Sequence, residues 1–203
     1  MPRPLSVCRL LLAAAAAAIV GACGTTLPPA HLYVLNRAPE PPTPARSAGG
    51  NHLAVAVAAT SVPEYLDRMQ LVRRVGGNGL LLLDGEQWGE RPSVNISRAL
   101  AQDLAALLPA QVTLLSTGRM DVRPDYTIAL ALDDFEIDQS GAAVLAGRWT
   151  IKDSRGSVVA SRAVVLRTPK SAPGTPGAVA AMADNVEAVA RQVTASIASL
   201  HGG

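Results

Sequence analysis

Apolar residues recur along the chain at two different spacings, and each spacing predicts one kind of element. Segments 93–108 and 178–200 carry apolar residues at every third or fourth position, the pattern of an amphipathic helix. Ser93 is predicted to be the N-cap of the first helix, and Pro109 marks the end of that helix. Helices of this kind are expected to pack their apolar stripes against a sheet.

Strands are predicted where apolar residues alternate with other residues or form short runs. The continuous apolar run 53–59 is typical of a strand buried on both faces. Segments 69–75 and 80–83 flank a Gly-Gly-Asn-Gly turn, which predicts a hairpin. Residues 125–168 alternate between turn signals and predict an antiparallel meander with one solvated or partner-facing face. Further strands are predicted at 31–36 and 111–115.

Together these patterns predict the α/β fold class. We expect a single domain over residues 31–200, with a mixed β-sheet, an antiparallel meander and two main helices. The Pro- and Gly-rich segments 37–51 and 169–177 are predicted to be loops within this domain.

The N-terminus has the ordered features of a bacterial lipoprotein signal. A positive region with Arg3 and Arg9 precedes a short apolar region over residues 10–20. The residues Val-Gly-Ala-Cys at 20–23 then match a lipobox. We therefore predict a signal peptide over 1–22 and lipidation of Cys23, with palmitate among the attached acyl chains. The alternative is an ordinary cleavage site beside an incidental cysteine.

The predicted anchor constrains where the domain lies. Residues 23–30 form a lipidated tether, and two or more acyl chains hold a protein stably on a bilayer. The seven residues from Gly24 to Ala30 span at most ~25 Å, so the domain should stay close to the membrane. Gly24, in place of Asp after the lipidated cysteine, favours the periplasmic face of the outer membrane.

Charge and composition exclude some classes of function. The formal net charge is +2, and loss of Arg3 and Arg9 with the signal peptide would leave sixteen basic and sixteen acidic residues. Binding to nucleic acid relies on excess positive charge, so no nucleic-acid partner is predicted. Aromatic residues are only 3% of the chain, so Leu, Val and Ile must supply the core.

No arrangement of side chains predicts an enzyme. His31, His52 and His201 lie near no serine or carboxylate motif that suggests a catalytic triad. The two cysteines form no CxxC pair for zinc. The acidic residues of 133–138 match no calcium loop, and we interpret them as a solvated acidic edge. We therefore predict no catalytic residue, no metal and no cofactor.

Two segments resemble the PqiC-like lipoproteins, also called ABC-type transport auxiliary lipoproteins. Segment 62–74 reads VPEYLDRMQLVRR, and a tryptophan, Trp88, follows it before the helix at 95–108. The family pattern also includes a lipobox and a tyrosine in the first strand, matched here by Cys23 and Tyr33. Met69 replaces the usual proline of the stretch. The resemblance covers nearly all of the predicted mature chain.

The resemblance implies a fold and a function. Such proteins are similar to the N-terminal domain of TolB and work beside MCE-type lipid-transport systems that support membrane integrity. It implies an auxiliary or docking subunit whose partners are an MCE-domain tunnel protein (PqiB-like) and its inner-membrane subunits. A homo-oligomeric ring is also implied. The alternative function is a periplasmic lipid-binding carrier lipoprotein without a fixed MCE partner.

The motif residues leave two interpretations open. In one, Asp67 and Arg68 stabilise a turn while Tyr65, Leu66 and Trp88 fill a small core. In the other, these residues form an exposed patch that contacts a partner or a neighbouring protomer, since aromatic and arginine side chains are enriched in such patches.

Overall fold

The computed structural model describes residues 29–35, 53–115 and 123–201. Over those residues the chain forms eight strands and two helices. In chain order they are β1 (His31–Tyr33), β2 (Ala54–Val57), β3 (Gln70–Val75), β4 (Gly79–Trp88), α1 (Pro92–Leu107), β5 (Gln111–Leu114), β6 (Tyr126–Ile137), β7 (Ala143–Asp153), β8 (Val158–Thr168) and α2 (Gly174–His201). The predicted lipobox with Cys23 and the predicted loop 37–51 lie outside the described residues.

Strand β6 joins the parts of the sheet. Along one side it pairs antiparallel with β7, which pairs antiparallel with β8, and these three strands form the predicted meander. Along the other side β6 pairs in parallel with β2 near its beginning and with β3 at its end. From there the sheet continues as two branches, β2–β5 and β3–β4–β1. The predicted mixed sheet, meander and hairpin are therefore confirmed.

Both helices pack on the same face of the sheet, because alternate strand residues point apolar side chains at them. Helix α2 contacts β6, β7 and β8, while α1 contacts α2, β2 and β5. On β7, Leu145, Trp149 and Ile151 are buried toward the helices, whereas Arg148 and Lys152 point outward and are exposed. The outer face of β7 thus carries the polar residues that the alternation predicted.

A few buried polar groups join α2 to the meander. The Asn185 amide nitrogen donates to the Ala143 carbonyl at 3.2 Å, and its oxygen accepts from the Thr168 hydroxyl at 2.6 Å. The Trp149 indole donates to the Gln192 side chain at 3.1 Å. These bonds satisfy polar groups that would be costly to bury alone.

Some predicted boundaries were wrong. Helix α1 begins at Pro92 with Arg91 as the N-cap residue, so Ser93 lies in the first turn and is not the cap. Helix α2 begins at Gly174, inside the predicted loop 169–177. Strand β4 extends to Trp88, past the predicted end at residue 83. The added part of β4 pairs with β1, so a partner strand extends it beyond its clearest apolar pattern.

Candidate functional site

Residues 63–74, which we call the motif segment, carry the chain from one branch of the sheet to the other. Just before it, Ser61 bridges Ala131 on β6. A turn follows in which the amides of Leu66 and Asp67 donate to the Pro63 carbonyl at 2.9 and 3.0 Å. The chain then returns to β6 as strand β3. The motif segment thus connects two strands that lie end to end beside β6.

Two of the predicted site residues lie in the core. Leu66 and Trp88 are 2% and 3% exposed. The Trp88 ring stacks on Phe135 of β6, with centroids 6.1 Å apart and an interplanar angle of 26°. The Trp88 amide also donates to the Met69 carbonyl at 2.6 Å, which joins the end of β4 to the motif segment. Neither side chain is available to a partner.

Asp67 supplies the cap that the sequence analysis assigned to Ser93. Its carboxylate accepts the Ser93 amide at 2.9 Å and the Ser93 hydroxyl at 3.1 Å. Arg91 lies 3.7 Å from the same carboxylate. A helix N-terminus leaves amide groups without partners and favours negative charge, and Asp67 meets both needs from a different segment.

The last motif residue, Arg74, forms an ion pair with a buried carboxylate. Its guanidinium donates two hydrogen bonds to Glu136, one of them at 3.0 Å, and lies 3.4 Å from Asp134. The Glu136 side chain is only 3% exposed, against 30% for Arg74. The hydrogen bond with Glu136 raises the pKa of Arg74, so the guanidinium stays charged across the physiological range.

Tyr65 borders this pair. Its hydroxyl donates to the Asp133 carbonyl at 3.4 Å, and the residue as a whole is 41% exposed. Burial of the hydroxyl end, together with the negative charges of Asp134 and Glu136, raises the pKa of Tyr65. Tyr65 is therefore a neutral phenol that borders the ion pair and presents part of its ring to solvent.

The interpretation of residues 133–138 as a solvated acidic edge was wrong for Glu136. The register of β6 against β7 shifts between Leu132 and Asp134, so the simple alternation of the strand is interrupted there. Glu136 consequently lies buried opposite Arg74. A hint was present in the sequence, because the arginine that ends the motif needs a partner for its charge where its strand enters the sheet. Within the described ranges, no three His, Cys, Asp or Glu residues are grouped to hold a metal ion.

Arg68 is the motif residue most available to another molecule. It is exposed, and its side chain forms no hydrogen bond or ion pair with another residue of the described ranges. With the exposed part of Tyr65 it forms what we call the motif surface. The structure therefore divides the predicted site: Leu66, Asp67 and Trp88 are engaged within the fold, while Tyr65 and Arg68 face solvent.

A second polar group lies where the first strand joins the sheet. Strand β1 pairs in parallel with β4, so that His31 lies beside Glu86 and Tyr33 beside Trp88. Burial, a hydrogen bond with Glu86 and the charge of that carboxylate raise the pKa of Tyr33 to about 12. The His31 ring lies 3.4 Å from the same carboxylate. These contacts hold the edge strand from which the predicted tether leaves.

Comparisons with known proteins extend these observations. No curated protein matches the chain. The chain is similar to a crystal structure of an uncharacterized protein, with a TM-score of 0.66 and 16% identity over 84% of this chain and 99% of that one. It is also similar to a Xanthomonas campestris protein assigned to DUF330, with a TM-score of 0.61, 20% identity and the same coverage. Both likenesses confirm the predicted α/β fold.

None of the described helices is long and apolar enough to cross a membrane.

The family comparison covers most of the chain. A family model described as the ABC-type transport auxiliary lipoprotein component matches residues 33–194, which include the motif segment, both helices and the meander. The family predicted from the motif is thereby confirmed: the chain belongs to the ABC-type transport auxiliary lipoproteins.

Proposed function

We propose that this protein is a docking subunit of an MCE-type intermembrane lipid-transport system, anchored through Cys23 at the periplasmic face of the outer membrane. The observation that carries the proposal is the family match over residues 33–194, which makes the chain an auxiliary lipoprotein component of a transport system. The lipobox at residues 20–23 supports the anchor, and Gly24 supports the outer membrane. The short tether keeps the domain at the bilayer.

The motif surface is the part of the domain that we assign to partner contact. Tyr65 presents an aromatic ring beside a neutralised ion pair, and Arg68 adds an exposed cation. Aromatic and arginine side chains contribute most of the binding energy in many protein interfaces. The remaining motif residues stabilise the backbone that carries these two side chains, through the Asp67 cap and the burial of Leu66.

The proposal is tested by crosslinking the full-length protein in native membranes and identifying the captured proteins by mass spectrometry. Recovery of an MCE-domain protein with the wild type supports docking. Absence of such a protein, with Cys23 lipidated and the domain folded, contradicts it. In the Cys23→Ala variant, retained binding would mean that the lipid serves placement. Lipid that co-purifies with this variant, without an MCE partner, would favour the carrier function.

A matched pair of variants tests the motif surface. We expect Arg68→Ala to reduce capture of the partner about tenfold or more, the loss that follows when one of the few residues carrying most of the binding energy is truncated. Arg155→Ala is the control, because Arg155 is also exposed but lies in the turn between β7 and β8. Equal capture by the two variants would exclude Arg68 from the contact. Both should melt at the wild-type temperature, since neither side chain is packed in the core.

A further inference from the structure

The end of the β3–β4 hairpin, residues 75–82, carries an exposed apolar cluster; we call it the hairpin tip. The segment reads VGGNGLLL and contains no charged residue. Its four large apolar side chains are substantially exposed: Val75 40%, Leu80 38%, Leu81 47% and Leu82 37%. Leu81 projects from one face of the hairpin, and Leu80 and Leu82 project from the other. Both faces of the tip therefore expose apolar surface, a feature of contacts with a membrane or another protein.

The shape of the hairpin tip depends on its backbone and very little on packing. Gly76 has a φ of 65°, which favours glycine, and Val75 pairs directly with Gly79. A Cβ atom at Gly79 would lie 2.4 Å from the Val75 carbonyl oxygen, so only glycine fits there. The turn is therefore well defined without any contribution from Leu80, Leu81 or Leu82. Folding does not explain why these positions are apolar.

The chain that leads to the predicted anchor enters the domain from the direction of the hairpin tip. Strand β1 is parallel to β4, with His31 beside Glu86. Following β1 back toward the N-terminus therefore means moving along β4 toward Gly79. Leu81 lies five residues before Glu86, about 17 Å in a strand, whereas the eight residues from Cys23 to His31 span up to ~28 Å. A lipid on Cys23 can therefore lie level with the hairpin tip.

The charge next to the hairpin tip suits a phospholipid. Arg73 lies directly opposite Leu81 in the hairpin, so both side chains project from the same face. The Arg73 Nε is buried and has no hydrogen-bond partner in the described structure, whereas Arg74 is paired with Glu136. A cation next to an uncharged apolar tip matches the order of a bilayer surface, where phosphates lie outside the acyl chains.

We propose that the hairpin tip inserts into the headgroup and acyl boundary of the same membrane that holds the lipid on Cys23. This second contact rests on the anchor in the proposed function and adds to it an orientation. With β3 and β4 directed at the bilayer, the domain cannot rotate freely on its tether.

The test places a fluorescent probe on the hairpin tip. In the processed lipoprotein Cys8 would be removed and Cys23 blocked, so Leu81→Cys would provide a unique thiol for an environment-sensitive dye. The labelled protein is reconstituted in phosphatidylethanolamine vesicles with phosphatidylglycerol as the minor lipid. We expect a blue shift, and a roughly twofold loss of intensity when a lipid carries a quencher at headgroup depth.

Val165→Cys is the matched control, because Val165 is an apolar side chain with 78% exposure on β8, away from the hairpin. Its probe should stay in water and should not be quenched by lipid. A second variant, Leu80→Ser with Leu82→Ser, should return the Leu81 probe to water, while Val159→Ser should not. The wild-type chain, labelled in parallel, measures any background from the native cysteines.

Each outcome decides the proposal. A Leu81 probe that stays in water on vesicle-bound protein overturns it, as does a blue shift without lipid quenching, which would identify a second copy or another protein as the occupant. The mass of the Cys23 peptide, measured on the same sample, tests the anchor separately. An unmodified Cys23 with a quenched Leu81 probe would contradict the anchor and support the hairpin contact.

Discussion

The motif segment and the hairpin tip are consecutive in the chain, yet they use their apolar residues in opposite ways. In the motif segment, Leu66 is 2% exposed. Trp88, whose amide bonds to Met69 of this segment, is 3% exposed. One strand length further along, Leu81 is 47% exposed. The difference comes from whether other parts of the fold pack against the strand at that position. Apolar residues near β6 meet the core, whereas those of the hairpin tip extend beyond it. An apolar pattern therefore identifies a strand without identifying what covers it.

The largest loss of stability is expected at the buried Trp88. We expect Trp88→Ala to lower the free energy of unfolding by about 3–5 kcal/mol, because it leaves a cavity against Phe135. Urea denaturation followed by far-UV circular dichroism measures the change. A loss as small as that of an ordinary surface substitution would mean that the ring does not belong to the core.

The second largest loss of stability is expected when the ion pair between Arg74 and Glu136 is broken. Arg74→Met should cost about 3 kcal/mol, because it leaves the Glu136 carboxylate buried without its partner. Adding Glu136→Gln should recover a large part of this loss, since the buried group is then neutral. Arg68→Met serves as the exposed control and should change stability little. A double variant that is no more stable than Arg74→Met would show that the carboxylate is solvated, which would contradict its description as a buried group.

A smaller loss of stability is expected when the Asp67 cap of helix α1 is removed. Asp67→Ala should destabilise the domain by about 1 kcal/mol, the typical cost of removing a helix N-cap acceptor. Asp67→Asn should be milder, because its oxygen still accepts from the Ser93 amide. Glu64→Ala, an exposed carboxylate in the same turn, is the control. Equal stability of the Ala variants at positions 64 and 67 would show that the trans cap contributes nothing.

A pH titration examines a charge-stabilised turn near Arg74. Burial alone would raise the pKa of Asp138, but hydrogen bonds from Ser140, the Ala142 amide and Arg167 outweigh it and lower the pKa. The resulting stabilisation is present above the ordinary value of 3.8 and is lost as the pH falls through the lowered value. The stability difference between wild type and Asp138→Asn should therefore shrink below about pH 4, as measured by thermal melts. A difference independent of pH would contradict this assignment.

The smallest effect on stability is expected at the hairpin tip. Leu81→Ser should change the free energy of unfolding by no more than about 0.5 kcal/mol, as is usual for surface positions. The contrast with Trp88→Ala is the sharpest form of the comparison. A loss of several kcal/mol on Leu81→Ser, measured in the same urea experiment, would place this side chain in a core and remove the reason to assign it to a membrane.

Much of the architecture could be predicted because it depends on short-range patterns. The spacing of Val186, Val189 and Val193 identifies α2, and the alternation along β7 identifies the face that meets the helices. The Gly-rich turn identifies the hairpin. The motif and its position before Trp88 were sufficient to identify the family. The similarity to the TolB domain, the ring and the lipid on Cys23 stay predictions.

The interactions of the site could not be predicted in the same way. Ser93 has the residue type of an N-cap, but the acceptor is Asp67, which lies 26 residues earlier. Glu136 looks like one of several solvated acids, but Arg74, 62 residues away, pairs with it. In both cases a local preference was overridden by a group that only the folded chain brings near.

The sequence by itself determined the secondary structure periods, the fold class, the family and the predicted export and lipidation of the chain. Only the tertiary structure decided which apolar residues are buried and which carboxylates are paired. The physical reason is that periodicity is a property of neighbouring residues, whereas burial and charge pairing depend on segments far apart in the chain. Leu66 and Leu81 are the same residue type, and only their distances from β6 and the helices separate a core position from an exposed one.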